Sequence, residues 1–198
     1  MSDRDQAILW ARQLLAEDFV VLDTETTGLG SDDEAVSIAL IDKSGAVLLD
    51  TLLRHTKRSE PGALAVHGHS WEATRSGRAF AEVWPLLAEM IRHNLLVIYN
   101  ADFDCRMIGQ MIRRYEIDAR PVFRPDAECA MDAFAKFYGD WSDWTSSYRW
   151  QQLTKAARHF DLDTGGAHGA AADCLLTLGV VRGMAETLTS EELRALNE

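Results

Sequence analysis

The stretch Phe19-Val20-Val21-Leu22-Asp23-Thr24-Glu25-Thr26-Thr27-Gly28-Leu29 constrains this chain more than any other. Four apolar, strand-favouring residues run into Asp23, and Thr24, Thr26 and Thr27 keep the β preference, which predicts a buried strand that ends where the acids begin. Side chains alternate along a strand, so Asp23 and Glu25 project to one side and Thr24 to the other, while Gly28 permits a sharp turn that opens the sheet end to solvent. Two carboxylates side by side repel unless a cation sits between them, and an oxygen-only donor pair suits magnesium or manganese. Read alone, the pair fits an exposed strand-end charge cluster equally well, because a D-x-E pair is common.

At 198 residues the chain fits one domain with a sizeable core, and no apolar run reaches the length of a membrane span. The start Met1-Ser2-Asp3-Arg4-Asp5-Gln6 lacks a basic region followed by an apolar stretch, so a cytoplasmic location is the expectation. Cys105, Cys129 and Cys174 are odd in number and widely spaced, which argues against disulfides and structural zinc and favours small buried fillers. A net charge of -11 sits uneasily with duplex binding, which calls for a basic face. It does not exclude an enzyme that grips a few terminal nucleotides and spends several carboxylates on cations.

Apolar Ala7, Ile8, Ala11, Leu14 and Leu15 predict an amphipathic helix over residues 4–17, ahead of the first strand. Residues 36–41 and 47–53 flank Asp42-Lys43-Ser44-Gly45 as a hairpin, so the first three strands form an antiparallel meander. From Ser59 through Pro61-Gly62 the chain reads as loop, followed by a helix from about Ala79 to Arg92. Leu95–Asn100 is a continuous apolar run of a strand covered on both faces.

In the next helix, Phe103 to Tyr115, a turn of about 100° per residue puts Asp104 near the centre of the apolar stripe. Asp102 falls on the opposite side as an exposed N-cap. Residues 121–138 read as a short extended segment ending near Cys129, then a helix. Gly139–Trp150 reads as a polar loop with Trp141, Trp144 and Trp150; packing of these rings onto the core is favoured over base stacking or partner binding.

Helices follow over 153–160, from about Ala170 to Met184, and over 190–196 with an imperfect capping box begun by Ser190. His168 and Asp173, five apart, would lie about 140° apart on one helix. Gly165, Gly166 and Gly169 resolve this by letting His168 sit on a mobile loop before the helix that carries Asp173.

The ordered set Asp23-Thr24-Glu25-Thr26-Thr27-Gly28-Leu29, Asn100-Ala101-Asp102-Phe103-Asp104 and His168-Gly169-Ala170-Ala171-Ala172-Asp173 resembles the DEDDh 3'-5' exonucleases, the DnaQ-like family of proofreading subunits, ribonuclease T and oligoribonuclease. His168, rather than a Tyr at the position of Gly169, indicates the histidine branch. The resemblance covers roughly residues 18–185, leaving a helix over 1–17 and another over 186–198 outside it.

It implies an α/β, ribonuclease H-like fold: a mixed five-stranded sheet, first three strands antiparallel, flanked by helices. It also implies two divalent ions, Mg2+ or Mn2+, about 3.5–4 Å apart. Asp23 would bridge both, Asp173 would complete the first site, Glu25 and Asp104 would support the second, and His168 would deprotonate the attacking water. Thr26, Thr27, Leu29, His67 and Phe103 correspond to substrate-binding positions. His69 follows Gly68 where the family commonly has an aliphatic residue, which changes the pocket lining.

The implied activity is release of nucleoside 5'-monophosphates from single-stranded DNA 3' ends, by a free-standing nuclease. RNA 3' ends, a polymerase-associated proofreading role and a catalytically idle end-binding adaptor are the alternatives. A homodimer or a DNA polymerase or repair partner is compatible with the sequence.

Overall fold

The structure, a computed structural model, describes residues 1–118, 127–165 and 168–196. Strand β1 (Phe19–Thr26) is central because its apolar run is covered on both faces. Phe19 and Val21 enter one hydrophobic cluster, and Val20 and Leu22 enter the other. Burying each such side chain contributes about 1.5–3 kcal/mol, so the four together offset the several kcal/mol of desolvating a carboxylate at the strand end.

With β2 (Ala35–Asp42), β3 (Val47–Leu52), β4 (Leu95–Ile98) and β5 (Glu128–Cys129), the sheet has the order β3-β2-β1-β4-β5. The β1–β2 and β2–β3 pairs are antiparallel, and β1–β4 and β4–β5 are parallel, the mixed arrangement expected from the sequence. Leu22 pairs with Ile98, the last residue of β4. The chain segment after β4 therefore turns beside Asp23.

Helices α1 (Asp3–Ala16), α6 (Ala130–Tyr138), α7 (Leu153–His159) and α8 (Ala170–Glu186) cover the Phe19/Val21 face. Helices α4 (Phe80–Arg92) and α5 (Ala101–Arg114) cover the Val20/Leu22 face. The α9 segment (Ser190–Ala195) is tied to α1 through Asp5, whose carboxylate accepts from the Ser190 amide at 2.8 Å, and through the Arg12–Glu192 ion pair at 2.8 Å. Among the described residues no helix is long and apolar enough to cross a membrane. Cys105, Cys129 and Cys174 form no disulfide; Cys105 and Cys174 are buried and Cys129 is half-buried.

Several local readings change. Strand β1 runs through the acids to Thr26 instead of stopping at Asp23. The Pro61-Gly62 segment is not loop: α2 (Pro61–His67) starts with proline at its first turn, where a missing N–H costs nothing, and α3 (Trp71–Arg75) follows. The N-cap of α5 is Asn100 rather than Asp102, which lies exposed in the first turn. The capping box of α9 uses Thr189 with Glu192, one residue earlier than Ser190.

Residues 139–150 contain a hairpin of β6 (Trp141–Ser142) and β7 (Ser147–Tyr148), and its tryptophans stay outside the core. Trp144 is 95% exposed, Trp150 66% and Trp141 48%; the Trp141 indole N–H donates to Asp143 with its ring edge-on to Tyr148, and that of Trp150 donates to Asp132. The extended segment expected over 121–126 lies outside the described residues, as does Gly166.

Candidate active site

Alternation along β1 carries past Val21, so Asp23 and Glu25 continue the face that packs on α8. Helix α8 is seated on that face by buried Cys174, whose Sγ lies 3.5 Å from the Val21 carbonyl and 3.7 Å from that of Ala39. Asp173 precedes Cys174 in the first turn, and ligand oxygens of Asp23, Glu25 and Asp173 lie within 4.8 Å of one another. An oxygen-only set this close is suited to a hard divalent cation, so the residues fit the metal that the sequence implies.

Asp104 comes from the opposite layer. It is 4% exposed on α5, and Thr24 on the α5-facing side of β1 donates to its Oδ1 from both amide (3.0 Å) and hydroxyl (2.6 Å). Asp102, two residues earlier, is exposed. The acids thus converge on the C-terminal ends of the parallel pair β1 and β4, from helices on both faces.

This crowding has an electrostatic cost. Burial, then the charges of Asp104, Asp173 and Glu25, push the Asp23 carboxyl well above the usual range. Burial with the charges of Asp173 and Asp104 raises Glu25 to about 7. Burial also raises Asp104 to about 7, although its Thr24 hydrogen bonds pull the other way. Asp173 is raised by burial and partly relieved by the His168 amide, which donates to its Oδ1 at 3.3 Å. A divalent cation among these four acids would offset the mutual repulsion that keeps them from ionising together.

His168 is exposed, and among the described residues of its segment it is His168, at φ 80°, that takes the left-handed conformation rather than Gly165 or Gly169. Gly28 is likewise required for a reason other than a left-handed turn. A Cβ there would lie 2.7 Å from Asp33 Oδ2 and 2.8 Å from Glu60 Cδ, so these two side chains occupy the space that a Cβ would need.

Two clefts flank the carboxylates. One, of about 360 Å3, is lined by Glu25, Thr26, Leu29, His67 and Phe103, bringing together four of the five substrate-binding positions expected from the sequence. Leu29 stands 75% exposed at its edge, and Arg106 lies 5.2 Å from the Phe103 ring. His67 Nδ1 accepts the His69 amide at 2.9 Å, so the neutral ring carries its proton at Nε2. That buried Nε2 has no hydrogen-bond partner among the described residues, an unspent donor in the cleft wall. Burial, with His69 and His55 nearby, lowers the His67 pKa and keeps the ring neutral.

The fifth position, Thr27, lies outside the cleft. It is fully buried, donates to Asp33 Oδ1 at 2.7 Å and accepts the Glu34 amide at 3.0 Å, which makes it a support for the loop after β1. The second cleft, of about 440 Å3, contains His168 and Asp173 together with Tyr99, Met131, Trp150 and Leu153.

Sequence reasoning did not find Gln110, whose amide donates to the Ser31 carbonyl at 2.9 Å, or Glu34, which accepts from Thr56 and Tyr115 at 2.7 Å each. Both brace the loop that carries Leu29. Their one legible signal was a polar residue on an otherwise apolar helix face at Gln110.

A family model described as Exonuclease, of the RNase T type, matches residues 20–181. The chain is 37% identical over 180 residues to the "Uncharacterized exonuclease CP81" of Escherichia phage 186, covering 89% of this chain and 92% of that one. It is 30% identical over 100 residues to a PolC-type DNA polymerase III of Thermotoga maritima, covering 48% of this chain and 7% of the polymerase.

Among solved structures, exonuclease I superposes with a TM-score of 0.70 at 18% identity, over 91% of this chain and 43% of exonuclease I. E. coli exonuclease I in complex with a dA16 oligonucleotide gives 0.68 at 19% identity, over 91% and 43%. The chain spans less than half the length of these structures, and at such identity the likeness shows the fold: a ribonuclease H-like mixed sheet flanked by helices.

Proposed function

The chain belongs to the exonuclease family, and on that premise we propose that it is a metal-dependent 3'-5' exonuclease acting on single-stranded DNA ends. The observation that carries the proposal is the convergence of Asp23, Glu25 and Asp173 within 4.8 Å, backed by buried Asp104 and set between two clefts. Asp23, Glu25, Asp104 and Asp173 would hold two divalent ions, Mg2+ or Mn2+. When bound, these supply charge stabilisation to the attacking and leaving oxygens of an in-line displacement.

The protein's own groups do the rest. Leu29, Phe103 and the Nε2–H of His67 receive the terminal nucleotide, with the buried donor satisfied by a polar atom of the substrate. His168, beside Asp173, accepts a proton from the attacking water. The water oxygen bonds to phosphorus as the P–O3' bond breaks, and the leaving oxygen takes a proton from solvent. The products are a nucleoside 5'-monophosphate and a strand one residue shorter with a 3'-hydroxyl. DNA is favoured as substrate because E. coli exonuclease I, which shares the fold, is described in complex with DNA oligonucleotides.

Comparing linear with circular single-stranded DNA in magnesium tests this reading. Loss of the linear form alone is the expected result, and equal digestion of circles would reject an exonuclease.

A further inference from the structure

Cleavage between the last two nucleotides of a strand puts one nucleotide on each side of the reacting phosphorus. The carboxylates stand between two clefts, and the terminal nucleotide accounts for one of them. We propose that the second cleft binds the penultimate nucleotide, with its base stacked on the indole of Trp150. This rests on the exonuclease reading above and adds a substrate contact to it.

Trp150 is a large apolar ring left 66% exposed beside His168 and Asp173. It is held in place: Nε1 donates to Asp132 Oδ1 at 2.8 Å, so the polar edge is spent and the ring face is free. The next residue is anchored too. Tyr99 donates its hydroxyl to the Gln151 carbonyl at 2.8 Å, and the Gln151 side chain bridges the Arg149 carbonyl (2.8 Å) and Lys155 Nζ (2.6 Å). A ring ordered in advance loses little freedom on binding, and a base covers it regardless of sequence. The cleft, at about 440 Å3, falls within the usual range for small-ligand sites. Trp144, in the turn of the preceding hairpin, has no part in its lining, which makes it the control.

The test uses the full chain and two substrates, a short oligothymidylate and the p-nitrophenyl ester of thymidine 5'-monophosphate, which carries a nucleotide on one side of phosphorus only. Trp150→Ala should raise KM for the oligonucleotide about tenfold, and Trp150→Phe should recover most of the loss. On the ester the shift in KM for Trp150→Ala should stay within about twofold, while Trp144→Ala should match the parent protein on both substrates. An unchanged oligonucleotide KM in Trp150→Ala, or an equal rise on both substrates, overturns the stacking site while leaving the exonuclease reading intact. A parent protein that hydrolyses neither substrate overturns both.

Discussion

Thr24 donates its amide and its hydroxyl to the same oxygen of Asp104, at 3.0 and 2.6 Å, across the layer boundary between β1 and α5. The flanking residues Asp23 and Glu25 face the other way, toward Asp173 on α8. Three consecutive positions of one strand therefore gather acids from both helical layers, because strand side chains alternate faces.

Replacing Thr24 by Val keeps the strand-compatible shape and removes one hydrogen bond to a carboxylate, an interaction worth about 1.5–3 kcal/mol. We expect kcat to fall about tenfold and the pH needed for metal binding to move upward, since that bond holds the Asp104 pKa down. Thr24→Ser should behave much as the parent. A metal titration against pH distinguishes the two, and a Val variant indistinguishable from the parent would remove the clamp.

Asp23→Asn should abolish metal-dependent cleavage and also change the pH dependence of stability. Asp23 has a folded-state pKa well above its unfolded value, so the folded state holds the proton to higher pH. Its burial leaves stability intact below about pH 4 and destabilises progressively as pH rises through the folded pKa. In chelator, thermal unfolding of the parent should therefore weaken toward pH 8 more than that of Asp23→Asn, and magnesium should restore the parent alone. Identical pH profiles would contradict the reading.

The backbone of His168 is left-handed, a conformation that Asn tolerates better than most residues. His168→Asn thus preserves the local chain while deleting the base. Turnover should drop by about 10²-fold with KM little changed. A loss confined to KM would show that the imidazole binds substrate instead of moving a proton.

Gly28→Ala tests close approach rather than turn geometry. The added Cβ meets Asp33, which cannot swing away because Thr27, the Gly30 amide and Lys57 each hold it at 2.7 Å. Denaturant unfolding should show a loss of about 1–3 kcal/mol. A neutral substitution would mean that the loop yields freely.

Much of this was written locally in the chain. The apolar run into Asp23 and the phase that buries Asp104 while exposing Asp102 follow from strand and helix periods, and the ordered set of three acidic segments is legible through its resemblance to the DEDDh exonucleases. What was not legible depends on contacts far apart in sequence. The Pro61-Gly62 pair reads as a breaker until the helix it starts is seen. Thr27 reads as a site residue until its hydroxyl is found on Asp33. Trp150 reads as core filler because nothing local shows that Asp132, eighteen positions away, holds its edge. The donor left over on His67 required knowing that the His69 amide occupies the other ring nitrogen.

The most direct test of the central claim is digestion of single-stranded DNA and RNA of equal sequence, labelled at the 5' or the 3' end, with magnesium, manganese or chelator. The account predicts a descending ladder from 5'-labelled DNA, immediate release of the 3' label as a mononucleotide, slower action on RNA, and no reaction in chelator. Internal cuts, shortening from the 5' end, or cleavage that persists in chelator would contradict it.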